Sequence, residues 1–219
     1  MAKRRSDDRD REGGRPAGEE RAKATERAML ELCGEIGYGT VTVAAVLERS
    51  GTNRTWFYDT YAGKPDCYAR AYETRAETFC GRLLSACAAG ADPAGALRAG
   101  LGELNDFIVA EPALATGLLA EVRVAGGAAL AKRNEIFERL SRAIQHTRRE
   151  TRRSRHSPPP ATTAAFILDA FEAAVIRKLR DGGGREGLVD ELAALADAYY
   201  PETAGRESSG GGHSTHDRW

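Results

Sequence analysis

The 219-residue sequence predicts an all-α protein of about nine helices, an N-terminal three-helix helix-turn-helix domain followed by a larger helical domain. Three observations carry that expectation. Apolar residues recur at intervals of three and four along most of the chain, which places them on one side of a helix. Gly and Pro stand between those segments, where helices end and begin. Between Thr42 and Lys64 two short helical patterns are separated by a turn at Gly51.

Residues 1–18 mix both charges with Gly and Pro, show no apolar period, and are expected to form a disordered tail. Lys3, Arg4, Arg5, Arg9, Arg11 and Arg15 suit a basic arm that follows DNA, but Asp7, Asp8, Asp10 and Glu12 among them favour a solvated tail. The first helix is expected from about Glu19 to Ile36, with Ala28, Met29, Leu32, Cys33 and Ile36 on one face.

Thr42 is a good N-cap for a short second helix with Val43, Val46 and Leu47 on its apolar side. Gly51 ends that helix, because glycine takes the left-handed conformation a tight reversal needs. Asn53 can cap a third helix, in which Phe57 and Tyr61 face inward. Arg54, Thr55, Trp56, Tyr58 and Thr60 are left on its other sides, a set rich in donors and aromatics. Two helices arranged so describe a helix-turn-helix whose second helix enters a DNA major groove. The same helix–Gly–helix pattern also fits a packing hairpin in an ordinary bundle.

From Gly37 through Tyr68 the sequence GYGTVTVAAVLERSGTNRTWFYDTYAGKPDCY resembles, without a gap, the DNA-binding domain of TetR-family transcriptional repressors. The matching positions are Gly37 and Tyr38, Thr42 and Val43, Val46, Glu48-Arg49, Gly51, Phe57-Tyr58, Tyr61 and Lys64. The likeness starts at about Ala22, and beyond Tyr68 it rests on helix layout alone. It implies a DNA-binding domain at 19–63 and a ligand-binding and dimerisation domain at 64–200. It further implies a homodimer through the last two helices, a repressor bound to an inverted repeat in double-stranded DNA, and release by a small effector. Aliphatic lining residues suggest an apolar effector, yet each is equally well explained as core, so no pocket residue is assigned.

The resemblance implies that Tyr58 and Lys64 hold the DNA backbone. Thr42 can add its hydroxyl and the free N–H groups behind it. Specificity is expected from Arg54, Thr55, Trp56 and Thr60. Arg54 can pair with guanine O6 and N7, and the threonines can meet a thymine methyl or a base edge. Trp56 stands where smaller residues are common, so it either packs on sugar or thymine methyl or closes against the protein. Thr25 and Glu26 replace the family's aliphatic residues, so the first helical turns are expected to fray. Ala44 lacks a long polar side chain, and Leu47 replaces the usual alanine, which sets the two helices further apart or rotates them.

Beyond the motif, Gly63-Lys64-Pro65-Asp66 opens a long helix with Tyr68, Tyr72, Phe79, Leu83 and Cys87 inward. After a break from Ala88 to Gly95, a helix carries Leu97, Leu101, Leu104 and Ile108. Glu111-Pro112 starts another with Leu114, Leu118 and Val122, closed by Gly126-Gly127. The next helix turns Leu130, Ile136, Phe137, Leu140 and Ile144 inward and ends in a run of arginines, read as a solvated face. Ser157 to Pro160 is an extended connector. Between Ala161 and Asp181, Phe166, Ile167, Ala170, Phe171, Ala174 and Val175 cover two faces, which calls for a second partner such as another subunit. A last helix carries Leu188, Leu192, Leu195 and Tyr199, and 201–219 is expected to be a disordered tail.

Composition bounds the function. Thirty-two basic and 32 acidic residues leave a formal charge of zero, so attraction to nucleic acid must come from a local concentration of Lys and Arg. Cys33, Cys67, Cys80 and Cys87 form no CxxC pair and read as small buried hydrophobes in a reducing cytosol. No secretory or membrane-spanning run is evident, so a soluble, cytoplasmic protein is expected. No cofactor, metal site or enzyme signature is expected: His146 and His156 sit in the basic stretch, and His213 and His216 lie in the C-terminal tail. Two other functions fit the same residues, an effector-independent DNA-binding regulator and a helical protein-interaction adaptor without DNA binding.

Overall fold

The computed structural model describes residues 7–91, 93–151, 163–181, 190–192 and 194. Residues 1–6, the connector at 157–160, most of the last predicted helix and the tail from 201 lie outside the described residues. Among the described residues nine helices form: α1 (Asp7–Ile36), α2 (Val43–Ser50), α3 (Arg54–Thr60), α4 (Lys64–Ala88), α5 (Pro93–Ala110), α6 (Pro112–Leu119), α7 (Val122–Ala125), α8 (Gly127–Thr151) and α9 (Thr163–Asp181). None of them is long and apolar enough to cross a membrane.

The first helix departs from expectation at its start. α1 begins at Asp7, well before Glu19, and so takes in most of the stretch expected to be a disordered tail. Each residue added to an existing helix gains a hydrogen bond, and Arg and Glu propagate helices well without any apolar period. The turns around Thr25 are not frayed either. Thr25 is fully buried, its hydroxyl donates to the Arg21 carbonyl at 2.8 Å, and it meets the Thr52 hydroxyl at 3.5 Å. A threonine can replace an aliphatic residue there because its one polar atom is bonded within its own helix.

α1 buries two faces. Ala28, Met29, Leu32 and Cys33 are buried as their period predicts, but Leu30 is buried too, while Ile36 is 47% exposed. The second face exists because α6 lies directly against α1. A Cβ on Gly34 would overlap the Ala113 carbonyl, and one on Gly117 would overlap the Leu30 carbonyl. The two helices therefore touch backbone to backbone. Tyr68 of α4 fastens the crossing by donating its hydroxyl to the Gly117 carbonyl at 2.8 Å.

The segment expected as one helix from Pro112 to Val122 is two. α6 ends at Leu119, and Glu121 precedes the short α7, with a tight Val124 N–H to Glu121 carbonyl bond of 3.1 Å. The break aims the Glu121 carboxylate at the Tyr38 N–H, which it accepts at 2.7 Å. The corner after α1 is thus tied to the body of the protein.

α4 runs from the end of the molecule that holds α2 and α3 into the body, with Cys67, Tyr68, Ala71, Tyr72, Ala76 and Cys80 buried. α5 contributes Leu101, Phe107 and Ile108, and Phe79 of α4 meets Phe107 with ring centroids 4.8 Å apart. Between α8 and α9 lies a buried ionic cluster. Arg133 is 6% exposed and Glu172 8%, and Arg133 Nε donates to Glu172 Oε1 at 2.9 Å. The same guanidinium reaches Asp169 at 2.9 Å and stacks on Phe137, while Arg123 of α7 also pairs with Glu172. α9 has two characters, as its sequence predicts: Ala164 and Val175 are buried, whereas Phe166 is 69% exposed and Ala170 is exposed.

Candidate nucleic-acid interface

The reversal between α2 and α3 is built from local bonds. Thr42 caps α2, its hydroxyl accepting the Ala45 N–H at 3.2 Å, and Asn53 caps α3 by accepting the Trp56 N–H at 2.9 Å. Gly51 between them has φ 66°, where a side chain would be strained. The Thr52 hydroxyl lies 2.6 Å from Ser50 Oγ, which also donates to the Leu47 carbonyl at 3.4 Å. On the far side of α2, Arg49 forms a bidentate pair with Glu35 at 2.8 and 2.9 Å, so α2 is pinned to the end of α1.

α3 is held by Phe57 and Tyr61, 0% and 1% exposed, whose rings lie 5.1 Å apart. Burial raises the Tyr61 phenol far above its ordinary value and also raises Glu26, whose carboxylate accepts the Tyr61 hydroxyl at 3.4 Å. Burial likewise pushes the Cys33 thiol up to about 12, so it stays protonated and inert. With Phe57 and Tyr61 inward, the opposite side of α3 belongs to Thr55 and Asp59, two residues to either side of Phe57.

The candidate residues separate into three groups. Thr42, Arg54, Thr55 and Tyr58 are exposed, and the Arg54 guanidinium lies 5.8 Å from the Tyr58 ring centroid, on one flank of the outward ridge. Trp56 and Thr60 are half-buried on the other flank. Trp56 closes against the protein, edge-on to Tyr61 at 6.0 Å, and Thr60 spends its hydroxyl proton on the Trp56 carbonyl at 2.8 Å. Lys64 is apart from both. Its ammonium donates to the Tyr38 carbonyl at 2.9 Å and the Val41 carbonyl at 3.0 Å, and sits 4.3 Å from the Tyr38 ring centroid. Of its three donors, two are committed to the loop before α2.

No protein-family model matches the sequence, and neither does any curated protein. Solved structures do match. A TetR-family transcription regulator from Marinobacter aquaeolei VT8 superposes with a TM-score of 0.65 at 13% identity, over 83% of this chain and 96% of that one. A putative TetR-family regulator from Syntrophomonas wolfei superposes with a TM-score of 0.65 at 14% identity, over 86% and 99%. The regulator FadR from Bacillus subtilis, solved with stearoyl-CoA, gives 0.67 at 16% identity, over 78% and 95%.

The fold is that of TetR-family regulators.

Within this TetR fold, the residue that sequence reasoning missed is Asp59. The outward set of α3 reads as poor in acids when residues are counted, but the helical wheel drawn from Phe57 and Tyr61 puts Asp59 at its outermost point, and it is exposed. Leu47 is half-buried against the core. In the body of the TetR fold, an opening of about 530 Å³ is lined by Arg123, Glu172, Ala173, Ile176, Arg177 and Arg180. It lies between α7 and α9, where the charged Arg123, Glu172, Arg177 and Arg180 stand beside the apolar Ala173 and Ile176.

Proposed function

We propose that the protein is a sequence-specific DNA-binding transcriptional regulator, acting as a dimeric repressor. The observation that carries this reading is α3 itself, a capped helix whose inward residues are aromatic and whose exposed residues Arg54, Thr55 and Tyr58 can reach base edges and phosphates. Thr42 presents the N-terminus of α2 beside it, in position for a phosphate. Lys64 acts by holding the loop before α2. Trp56 supports α3 from within, and Thr60 contributes through its methyl group.

A homodimer through the outer face of α9 and the last helix would place two copies of α3 about one helical turn, roughly 34 to 36 Å, apart or a multiple of that. The exposed Phe166 and Ala170 support this face as the contact. The target is then an inverted repeat. Release by a small apolar effector follows the same reading: a ligand favouring one arrangement of the body is coupled to DNA reciprocally. FadR from Bacillus subtilis with its stearoyl-CoA makes a long acyl thioester a sensible first probe.

Selection of bound fragments from a random DNA library at physiological salt, with Arg54→Ala alongside, tests the reading. An inverted repeat should be recovered, relaxed at one base pair per half-site in the variant. Salt-sensitive binding without a common sequence, or none, would turn the motif into a packing hairpin and favour a protein-binding adaptor.

A further inference from the structure

Asp59 is at the crest of α3, and nothing among the described residues accounts for it. Its carboxylate is exposed and makes no hydrogen bond or ion pair among the described residues. It lies next to the C-terminal residue of α3, Thr60, where the helix dipole disfavours an acid. Aspartate is also a poor helix former. Neither packing nor helix stability therefore selects an acid at this position, yet it stands where α3 is furthest from the core, on the same ridge as Thr55.

We propose that Asp59 is a specificity-determining residue that reads a cytosine in each half-site through its N4 amino group. This rests on the DNA-binding reading of α3. An ionised carboxylate only accepts hydrogen bonds. In the major groove guanine presents O6 and N7, both acceptors, and thymine presents O4 and a methyl group. Adenine offers its N6 donor, but N7 on one side and the O4 of its paired thymine on the other both repel a carboxylate. Cytosine N4 has an acceptor, the O6 of the paired guanine, on one side only. A carboxylate on the ridge thus favours C·G over the other three pairs. It also repels phosphates wherever no such donor is available. Arg54, the only cation on α3, is offset by Asp59, so the helix carries no net charge and non-specific attraction to DNA is suppressed.

The test is library selection at one salt concentration with the wild-type dimer, Asp59→Ala and Asp59→Asn, followed by affinity measurements on the selected duplex and its single-base variants. The wild type should require C·G at one symmetry-related pair of positions, with a penalty of about 5- to 150-fold for the wrong base. Asp59→Ala should lose that preference alone and bind unrelated duplexes more tightly. Asp59→Asn should change the preferred base to adenine, because an amide pairs with adenine N6 and N7 together. Both variants should melt at or slightly above the wild type. If both select the wild-type sequence at every position, or if both unfold, the inference is overturned. If the wild type itself yields no inverted repeat, the DNA-binding reading fails and Asp59 with it.

Discussion

Replacing Gly117 with alanine sets two opposed effects against each other at the α1–α6 crossing. In a helix interior, alanine is favoured over glycine by about 0.8–1.0 kcal/mol. Here the added Cβ would overlap the Leu30 carbonyl and come within 3.2 Å of Gly34 N, both backbone atoms that cannot rotate away. Overpacking of this kind costs about 1–3 kcal/mol. Parting the helices would also break the buried bond from the Tyr68 hydroxyl to the Gly117 carbonyl, 2.8 Å long, at a further cost of about 1–3 kcal/mol. The net loss is about 1–5 kcal/mol, a fall in Tm of roughly 2–20 °C for a chain of this size. Thermal melting followed by far-ultraviolet circular dichroism measures it. Gly102→Ala in α5 is the control, since a Cβ there meets nothing within 4 Å and should raise Tm by the propensity gain alone. Tyr68→Phe isolates the hydrogen bond. If Gly117→Ala melts at or above the wild type, in step with the Gly102 control, α1 and α6 do not touch through their backbones.

Three further outcomes follow from buried or committed polar groups. Glu172→Ala leaves Arg133 buried without its main partner and should cost about 3–5 kcal/mol in urea unfolding, whereas Arg133→Met with Glu172→Leu should recover much of that loss; a single variant indistinguishable from wild type would refute the cluster. Glu26 is raised above the ordinary value of 4.5 by burial, so the native state holds its proton more tightly than the unfolded chain. Its ionisation therefore removes stability as pH rises through the raised value, and Glu26→Gln should be more stable than wild type at neutral pH, the gain shrinking as pH falls through the raised value and vanishing below 4.5; an equal difference at both ends would contradict the burial. Lys64→Met removes two ammonium–carbonyl bonds from the loop before α2 and should lower Tm while leaving the salt dependence of DNA binding nearly unchanged; a fall of about 0.9 in the logarithmic salt slope would assign the ammonium to a phosphate instead.

The helix-turn-helix was legible in the sequence because its determinants are local. Thr42, Gly51 and Asn53 act on backbone groups within three or four residues of themselves, and Phe57 and Tyr61 declare the inward side of α3 by spacing alone. The long α4 and the two-faced α9 were readable for the same reason, as patterns within one helix. Trp56, Thr60 and Lys64 were harder. Residue type suggests contact with DNA, but whether a donor is free depends on what lies beside it, and the Tyr38 and Val41 carbonyls reach Lys64 from more than twenty residues away.

By itself, then, the sequence determined the all-α class, the capped reversal at Gly51 and the aromatic anchor of α3, since helical period, caps and a left-handed turn are properties of neighbouring residues. Tertiary structure decided the rest. Leu30 is buried and Ile36 exposed because α6 crosses α1 at Gly34 and Gly117, and the chain breaks after Leu119 where Glu121 reaches Tyr38. Arg133 and Glu172 are core residues because each supplies the charge the other needs out of water. In every such case the physical cause is a contact between segments distant in sequence, which no local period encodes.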